Sequence, residues 1–562
     1  MLAYGWRKTI KYFIIGIMMA VGCALHAEQI KSPFALEMLC IGSMLLGYWT
    51  LKCEPDRYVN TAALILAVLL AAFMTVGQEV YTKGTVEGII DADNLVRTFV
   101  EWAGISVTFW AMLRLLFCKA KTTALDQADF TCKVSSRRFL LIWLGIICCY
   151  LPYWIAFFPG CLSTDSIREV EILLGLRTLS NHHPIIHQWT ISPFILIGKA
   201  LGSLTMGVGL YSLFQMLFMS AVFAAIVMYL KAKGASAPIQ GIIFVFYALC
   251  SVHAFYSITM WKDVLFGGIT AVLMMLLISI AEDETKDSIK KWIGLILVLF
   301  LFCTYRNNGY YAFLFAFPLF IIANRKKWKQ ILAVGLTVIV IVNAYQFLIF
   351  DVLKAEKSES GEMLSVPLQQ IARAAKNHGR SFTPEEKACI EEIFPSMEEL
   401  KNAYYQHVSD GVKIIFRSDV FDQDPARYLS LWMKIGIKHP VVYLDAFLNQ
   451  CFGYWYPESH YWSITEKIQS NRLGLKQTDS DFRSLLCKAH FAQEKMPIIK
   501  RQYRPSSYVW LALIACGILM AKRRYRLLSP MLFLLGLWLT TLLSPVYAEF
   551  RYVYGIVTAA PL

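Results

Sequence analysis

The stretch KDVLFGGITAVLMMLLISIA, residues 262–281, sets the fold class of this chain. After Lys262 and Asp263 it runs to Ala281 without a charged side chain. A run of this length is close to the roughly 20 residues that cross the apolar core of a bilayer. Because a backbone inside a bilayer must satisfy its own hydrogen bonds, we expect a membrane-spanning helix here.

Similar apolar runs recur along the chain, and 57% of its 562 residues are hydrophobic. We therefore predict an all-α polytopic membrane protein of about 13 transmembrane helices with a mainly helical insert. The predicted spans are residues 12–27, 34–51, 60–78, 96–113, 139–158, 207–230, 239–258, 264–281, 292–305, 309–323, 330–350, 507–521 and 527–545.

Short loops rich in Lys and Arg stay cytoplasmic, so the basic clusters predict the orientation of the spans. These clusters lie at residues 7–11, 52–57, 114–138, 231–233, 286–291, 325–329 and 522–526. All fall on one side if the apolar stretch 185–203 is a juxtamembrane or re-entrant helix that does not cross. Pro184, Pro193 and Lys199 favour that interpretation. The polar loops between the other span ends are then extracytoplasmic.

Four regions follow from this topology, and the longest polar one is an insert before the last two spans. They are an N-terminal four-helix membrane region at 1–138, a membrane core at 139–350 with an outer catalytic loop at 159–190, an extracytoplasmic helical domain at 351–505, and the C-terminal membrane helices at 506–562. Within the insert, Thr383-Pro384 and Asp424-Pro425 are typical helix starts, and Pro440 opens a further helix. This aromatic-rich part is expected to lie on the membrane as a lid.

The net charge of +14 reflects topology. The insert carries 21 Lys and Arg against 20 Asp and Glu, so the excess lies in the membrane part and its cytoplasmic loops. The basic balance therefore gives no reason to expect a nucleic-acid partner, and membrane lipids are the expected surroundings.

Asp165 is the candidate catalytic residue. It lies in PGCLSTDS directly after the span 139–158. A carboxylate at the membrane surface can act as a general base toward an acceptor hydroxyl. The alternative is helix capping, because Ser166 and Glu169 have the spacing of a capping box and Asp165 would complement the helix dipole.

His182 and His183 follow in SNHHP and are candidate substrate-binding residues. A turn and helix start would explain the flanking Asn181 and Pro184, although it would not require two His. Because His183 and His187 are four residues apart, the pair could bind a divalent cation. There is no clear third ligand on the same helix, so the metal site stays an alternative.

Three further loops contribute candidate substrate-binding side chains. An outward Lys runs against the charge bias, and an Arg close to membrane depth is costly to place there, whereas both suit a phosphate. The alternatives are a helix N-cap at the first loop, an Asn-Gly turn at the second and a snorkelling Arg at the third. The residues are Lys262, Asp263, Arg306, Asn307, Arg551 and Tyr552.

Together these residues place acids, two His and three cations on one side of the bilayer. The pattern is similar to the GT-C superfamily of integral-membrane glycosyltransferases that use polyprenyl-phosphate-linked sugars, including the protein O-mannosyltransferases and the lipid A aminoarabinose transferases. The resemblance covers residues 139–350, where Asp165, His183-Pro184, Asp263 and the basic helix end at 231–233 match its motifs, and extends to Arg551-Tyr552. The chain departs from the family in having four spans before the one that leads into the acidic loop, a late insert, and a single Asp.

The resemblance implies an inverting glycosyltransferase of the bacterial plasma membrane with Asp165 as catalytic base. The expected partners are a polyprenyl-phosphate sugar and a glycan, glycolipid or protein acceptor, and the aromatic FGYWYP segment at 452–457 is expected to stack on sugar rings. A lipid-linked glycan polymerase or ligase is the alternative. A lipid-linked sugar flippase is a third hypothesis, disfavoured by the absence of an internal sequence repeat.

Overall fold

The structure of the protein, a computed structural model, describes residues 2–26, 33–52, 55–122, 135–282, 288–459 and 461–562. Among these residues it is all-helical, with four isolated β-bridges and no strand. The first region contains α1 (Leu2–His26), α2 (Pro33–Lys52), α3 (Arg57–Lys83), α4 (Glu87–Ile90) and α5 (Ala92–Thr122).

The remaining helices are divided among the core, the insert and the C-terminal region. The core contains α6 (Ser136–Ala156), α7 (Thr164–Leu173), α8 (Ile185–Ala200), α9 (Leu204–Ala232), α10 (Ala237–Leu249), α11 (Ser251–Ile258), α12 (Lys262–Glu282), α13 (Ile289–Tyr305), α14 (Asn307–Ala323) and α15 (Trp328–Phe347). The insert contains α16 (Ser365–His378), α17 (Pro384–Ile393), α18 (Met397–Ala403), α19 (Asp410–Ile414), α20 (Ser418–Phe421), α21 (Pro425–Lys438), α22 (Pro440–Cys451) and α23 (Asp481–Lys495). The chain continues through α24 (Pro505–Ala521), α25 (Tyr525–Leu543) and α26 (Tyr554–Ala559).

Seven helices in the described ranges are long and apolar enough to cross a membrane, so the protein is a helical membrane protein. They are α3, α5, α6, α9, α12, the helical stretch that contains α15, and α25. The pair α10 and α11, bent by 51°, makes an eighth if it is one span. The described residues of all 13 predicted spans lie mainly in helices, but several of these helices are short, so the number 13 is not confirmed. α8 forms at the stretch expected to be re-entrant, and its placement stays a prediction.

The opening stretch forms α12, which lies at the centre of the core. In its most apolar window, 72% of the residues are buried inside the protein, the largest share among the seven helices. It packs on α9, α13, α25 and α26. A helix surrounded on all sides has no polar face to show, which explains its continuous apolar sequence.

Residues 368–443 of the insert have a hydrophobic core of their own, built from residues such as Leu368, Ile390 and Phe394, whereas the later part of the insert packs into the main core. The predicted starts of α17, α21 and α22 are confirmed, and Thr383 forms a capping box with Glu386. Asp445 accepts a hydrogen bond from the backbone of Val86 at 2.8 Å, so the insert is fastened beyond the end of α3.

The two ends of α12 face different parts of the molecule. Its C-terminal end meets the basic clusters, because Lys291 and Lys327 donate to the carbonyls of Ser279 and Ile280 at 3.2 and 3.4 Å. The basic residues at 7–11, 133 and 286 lie outside the residues whose side chains are described. Its N-terminal end begins at Lys262, and the 21 residues of the helix separate the two ends by about 30 Å.

Candidate functional site

The loop that carries Asp165 is held between two other segments. Cys161 N donates to Ile258 O at 3.0 Å and Met260 N donates to Cys161 O at 3.0 Å. On the other edge, Leu162 N donates to Lys467 O and Gln469 N to Leu162 O. The approach requires glycine at Gly160, where φ is +134° and a Cβ would lie 2.8 Å from Ile258 O. The loop therefore enters α7 in a fixed position.

Asp165 lies in the first turn of α7, with 33% of its side chain exposed. Its Oδ2 accepts a hydrogen bond from Arg551 Nη1 at 3.0 Å. Burial alone would raise the pKa of Asp165, but the charges of Arg551 and Lys262 hold it below its ordinary value. Asp165 is thus an ionised carboxylate that still faces outward in part.

His183 lies beside Asp165 and is 4% exposed. Lys262 Nζ lies 3.3 Å from Nδ1, and an ammonium group can only donate, so we assign the ring proton to Nε2. Nε2 is buried without a hydrogen-bond partner, 3.9 Å from Asp165 Oδ1. Burial, followed by Lys262, lowers the pKa of His183 well below its ordinary range. The neutral ring therefore presents a free N–H donor next to the carboxylate.

Asp263 and Arg306 form the innermost ion pair. Arg306 Nη1 lies 2.7 Å from Asp263 Oδ1, and the two side chains are 10% and 1% exposed. Neither oxygen of Asp263 accepts a hydrogen bond, so the contact is a close but poorly aligned ion pair. Arg306 also lies 5.1 Å from the ring of Tyr552, which connects this pair to Arg551.

Glu549 fixes the position of Arg551. Its carboxylate is 1% exposed and accepts hydrogen bonds from Arg551 Nε and from the hydroxyl of Tyr547. Burial raises the pKa of Glu549, and Arg551 partly offsets that effect. The guanidinium of Arg551 lies 5.2 Å from the centre of the Trp261 ring and donates to the Tyr552 hydroxyl at 3.2 Å. These contacts hold the side chain of Arg551 in one position.

Aromatic residues surround the charged cluster, although not those that the sequence indicated. Tyr454, Trp455 and Tyr456 of the FGYWYP segment are at most 5% exposed and pack inward, so the expectation that this segment stacks on sugars is wrong. The ring centres of Tyr461 and Tyr547 lie 4.4 Å apart. The ring centre of Trp462 lies 6.2 Å from that of Trp261, and 42% of the surface of Trp462 is exposed. Trp462 is the ring with an open face beside the site.

A buried network behind the site was not anticipated from the sequence. His187 Nδ1 lies 2.8 Å from Glu169 Oε1, and its Nε2 lies 2.9 Å from the hydroxyl of Tyr211. The contact between Glu169 and His187 joins α7 to α8. The first of these helices carries Asp165, and the second begins just after the His182-His183 pair. The capping-box alternative is wrong, because Ser166 Oγ donates to Met260 O and Glu169 bonds to His187 instead. Glu169 lies four residues after Asp165, which puts both on one side of α7, but this spacing does not indicate His187 or Tyr211 as partners.

The remaining candidates fall at the edge of the cluster. His182 packs its ring against His183, with 4.6 Å between ring centres. Asn307 follows Arg306 but is exposed and takes no part in these contacts. Among the described residues, no three His, Cys, Asp or Glu side chains converge as metal ligands. His187 has both ring nitrogens engaged, so it is not free to pair with His183 on a cation.

Six charged groups from four separate loops thus meet at one end of the helix bundle. Asp165, Asp263 and Glu549 balance Lys262, Arg306 and Arg551 in formal charge. The first of these acids is the most exposed, while the other two are 1% exposed and turned inward. The arrangement can hold an anion on the cations and leave one carboxylate beside it for proton transfer.

The chain was compared with known families, curated proteins and solved structures. A family described as a family of unknown function, DUF6020, matches residues 176–562. This range covers more than half of the chain and includes every charged residue of the cluster except Asp165. No curated protein and no solved structure matches the chain.

Proposed function

The chain belongs to the DUF6020 family of unknown function, and we propose that it is a glycosyltransferase. In this proposal it moves a sugar from a polyprenyl-phosphate-linked donor to a hydroxyl of a glycan, glycolipid or protein acceptor. The observation that carries the proposal is the part-exposed carboxylate of Asp165, held 3.0 Å from Arg551 and beside the free N–H of His183, at one end of the helix bundle.

The position of the cations supports a lipid-borne phosphate. Lys262, Arg306 and Arg551 all follow or precede apolar helices, where the headgroup of a membrane lipid would lie. Arg groups match phosphate oxygens in a two-pronged contact, and Lys adds a point charge. A soluble nucleotide-sugar donor would not need its phosphate site at this depth.

The chemistry assigned to the site is a direct displacement with inversion. The acceptor oxygen attacks C1 of the sugar while Asp165 takes the hydroxyl proton. The bond from C1 to the phosphate oxygen breaks, and its electron pair remains on the departing polyprenyl phosphate. The cations stabilise that developing negative charge, which is the electrostatic part of catalysis.

The lowered pKa of Asp165 suggests how the base is made available. While Arg551 holds the carboxylate, its affinity for a proton is reduced, which makes it a weak base. A phosphate docked on Arg551 and Lys262 shares their charge and weakens their effect on Asp165. The pKa of Asp165 then rises toward its ordinary value, so the donor activates the base that consumes it.

Two neighbouring groups are assigned to orient the substrates. His183 Nε2 has a proton to donate and no partner inside the protein, so it suits an oxygen of the sugar or the phosphate. The open face of Trp462 suits a pyranose ring. A divalent cation is not needed in this scheme.

The proposal includes the finer topology. We place all 13 helical segments across the plasma membrane of a bacterium, with the site and the 351–505 insert on the extracytoplasmic face. The support is the separation of charges along α12, since the basic clusters gather at the end opposite the site.

The test is a transfer assay on membranes that contain the full chain. A panel of radiolabelled polyprenyl-phosphate sugars is offered, and transfer to endogenous acceptors is compared between the wild type and Asp165→Asn. We expect the substitution to reduce transfer by about 10²–10⁴-fold, the usual contribution of a general base. Asp479→Asn is the matched control, because Asp479 is 97% exposed and lies just before α23, where it pairs with Arg483 of that helix.

Undiminished transfer by Asp165→Asn would remove Asp165 as the base. Absence of transfer with every sugar, from membranes in which the chain is folded and abundant, would remove the transferase itself. Equal losses in Asp165→Asn and Asp479→Asn would show that the assay reports expression and not chemistry.

A further inference from the structure

A polar cavity of about 390 Å³ lies against α7, next to Asp165. Its lining includes Thr164, Ile167, Arg168, Glu171, Arg177 and Arg472. This volume falls within the range of about 300–1,000 Å³ that is typical of small-ligand sites. None of the residues assigned to the transfer step lines it.

The spacing of its residues on α7 explains why the cavity and Asp165 are neighbours. Thr164, Ile167, Arg168 and Glu171 recur at three- and four-residue intervals, so they share one face of the helix. Asp165 lies on the adjacent face, three residues from Arg168. A ligand in the cavity would therefore lie one helix face away from the carboxylate.

The cavity carries an excess of positive charge. Glu171 is 6% exposed and is bonded by both Arg177 and Arg472, which are 50% and 58% exposed. Glu171 thus holds the two Arg side chains in place and neutralises only one of them. In the part of the chain that the structure describes, Arg168 is exposed and has no acidic partner. Three cations against one acid leave two positive charges facing solvent.

The two walls of the cavity are fixed relative to each other. One wall is α7, and the other is the insert loop 470–472. The hydrogen bonds of Leu162 to Lys467 and Gln469 hold this loop beside the start of α7. The side chain of Asn471 bonds to the backbone of its own loop at 3.0–3.1 Å, so the wall keeps its shape without a ligand.

From this geometry we propose that the cavity binds an anionic group of the acceptor, so that the acceptor is a negatively charged glycan or polyol chain with phosphodiester or carboxylate groups. The term acceptor rests on the proposed transferase, whereas the anion site stands by itself. A charged unit seated on Arg168 and Arg472 would place the next hydroxyl of the chain at Asp165.

Binding of a defined probe to the full-length protein in phosphatidylcholine nanodiscs tests the proposal without any donor present. The probe is a short fluorescent oligomer of glycerol phosphate, followed by anisotropy. A galacturonate oligomer serves as the carboxylate competitor, and a neutral malto-oligosaccharide serves as the uncharged one. We expect Arg168→Gln to weaken binding of the probe about tenfold, the loss of one charge-assisted hydrogen bond.

The matched control is Arg380→Gln, an exposed Arg of the insert away from the cavity, which should bind as the wild type does. The proposal is overturned if Arg168→Gln binds as tightly as the wild type, or if the neutral oligosaccharide competes as well as the galacturonate. It is also overturned if, in a parallel set of nanodiscs that contain phosphatidylglycerol, Arg168→Gln loses affinity for that lipid and not for the soluble probe, which would make the cavity a lipid headgroup site. Because no sugar is transferred in this assay, failure of the transferase would leave its result unchanged.

Discussion

The two ends of α12 carry ion pairs of similar composition in very different surroundings. At the N-terminal end, Asp263 and Arg306 are 1% and 10% exposed. At the C-terminal end, Glu282 and Lys233 are 27% and 26% exposed. An exposed pair costs little to keep and contributes little. A buried pair must overcome the loss of hydration of both charges.

This difference indicates which end the protein maintains for a purpose other than stability. A pair of apolar side chains would fill the space of Asp263 and Arg306 at no greater cost. The structure instead keeps a poorly aligned buried pair next to further charges at Lys262 and Arg551. Substitutions at both ends of α12, and at comparable pairs elsewhere, test whether the buried and the more exposed ion pairs differ in their contribution to stability.

The largest effect is expected from Asp263→Asn. It leaves the Arg306 guanidinium buried without a close carboxylate, which should lower the free energy of unfolding by about 3–5 kcal/mol. Denaturant titration of the purified protein in detergent measures the change. Glu282→Gln at the other end should cost less than about 1 kcal/mol. Similar losses at both ends would contradict the comparison.

Glu169→Gln should have the next largest effect. Glu169 and His187 are 3% and 0% exposed and lie 2.8 Å apart, so the substitution weakens a buried charge-assisted contact. We expect a loss of about 1.5–3 kcal/mol in the same titration. Glu398→Gln is the control, because Glu398 is 75% exposed and 3.7 Å from Lys401, and it should change the stability by less than about 0.5 kcal/mol. A control that cost as much would mean that burial is not the cause.

A smaller, pH-dependent effect is expected at Asp165. Because its pKa is below the ordinary value of 3.8, the unfolded chain binds the proton more tightly than the folded protein. The stabilisation is therefore present above that value and is lost as the pH falls through the lower folded pKa. The stability advantage of the wild type over Asp165→Asn should shrink between about pH 5 and pH 3. It should not exceed about 1 kcal/mol, because the side chain is one-third exposed. An advantage that grew on acidification would reverse the assigned shift.

The smallest effect is the response to salt. Raising the ionic strength to about 1 M shortens the screening length to about 3 Å, so the small cost of Glu282→Gln should disappear. The cost of Asp263→Asn should persist, because ions do not reach a buried pair. Parallel titrations at low and high salt measure both, and an equal response would place the two ends in the same environment.

Much of the helical architecture could be predicted from local sequence. Thr383-Pro384, Asp424-Pro425 and Pro440 begin helices as expected, because a capping side chain and a proline with fixed φ act within a single turn. The gathering of Asp165, His183, Lys262, Arg306 and Arg551 at one end of the bundle followed from the predicted order of the spans, although their individual contacts did not. Charges at the same ends of membrane helices must gather in one layer.

The parts that escaped prediction depend on contacts between distant segments. The capping box at Ser166 and Glu169 did not form, because Met260 O and His187 offer these side chains buried partners. Tyr454 and Tyr456 were expected to face a sugar, but the insert turns them inward against Tyr547 and Gln78. Neither partner can be read from the spacing of residues along one segment. The number of spans was uncertain for a related reason, since helices such as α14 and α24 are short for a bilayer.

The hydrogen bonds of Cys161 and Leu162 affect local opening of the protein around this loop. Both edges of this two-residue segment are occupied, one by residues 258–260 and the other by residues 467–469. The Cys161 amide can exchange with solvent only when residue 258 of the core moves away, and the Leu162 amide only when residue 467 of the insert moves away, so exchange at each amide measures the opening of one of the two contacts. Any fluctuation that displaces the insert loop is therefore transmitted to the start of α7 without a hinge between them.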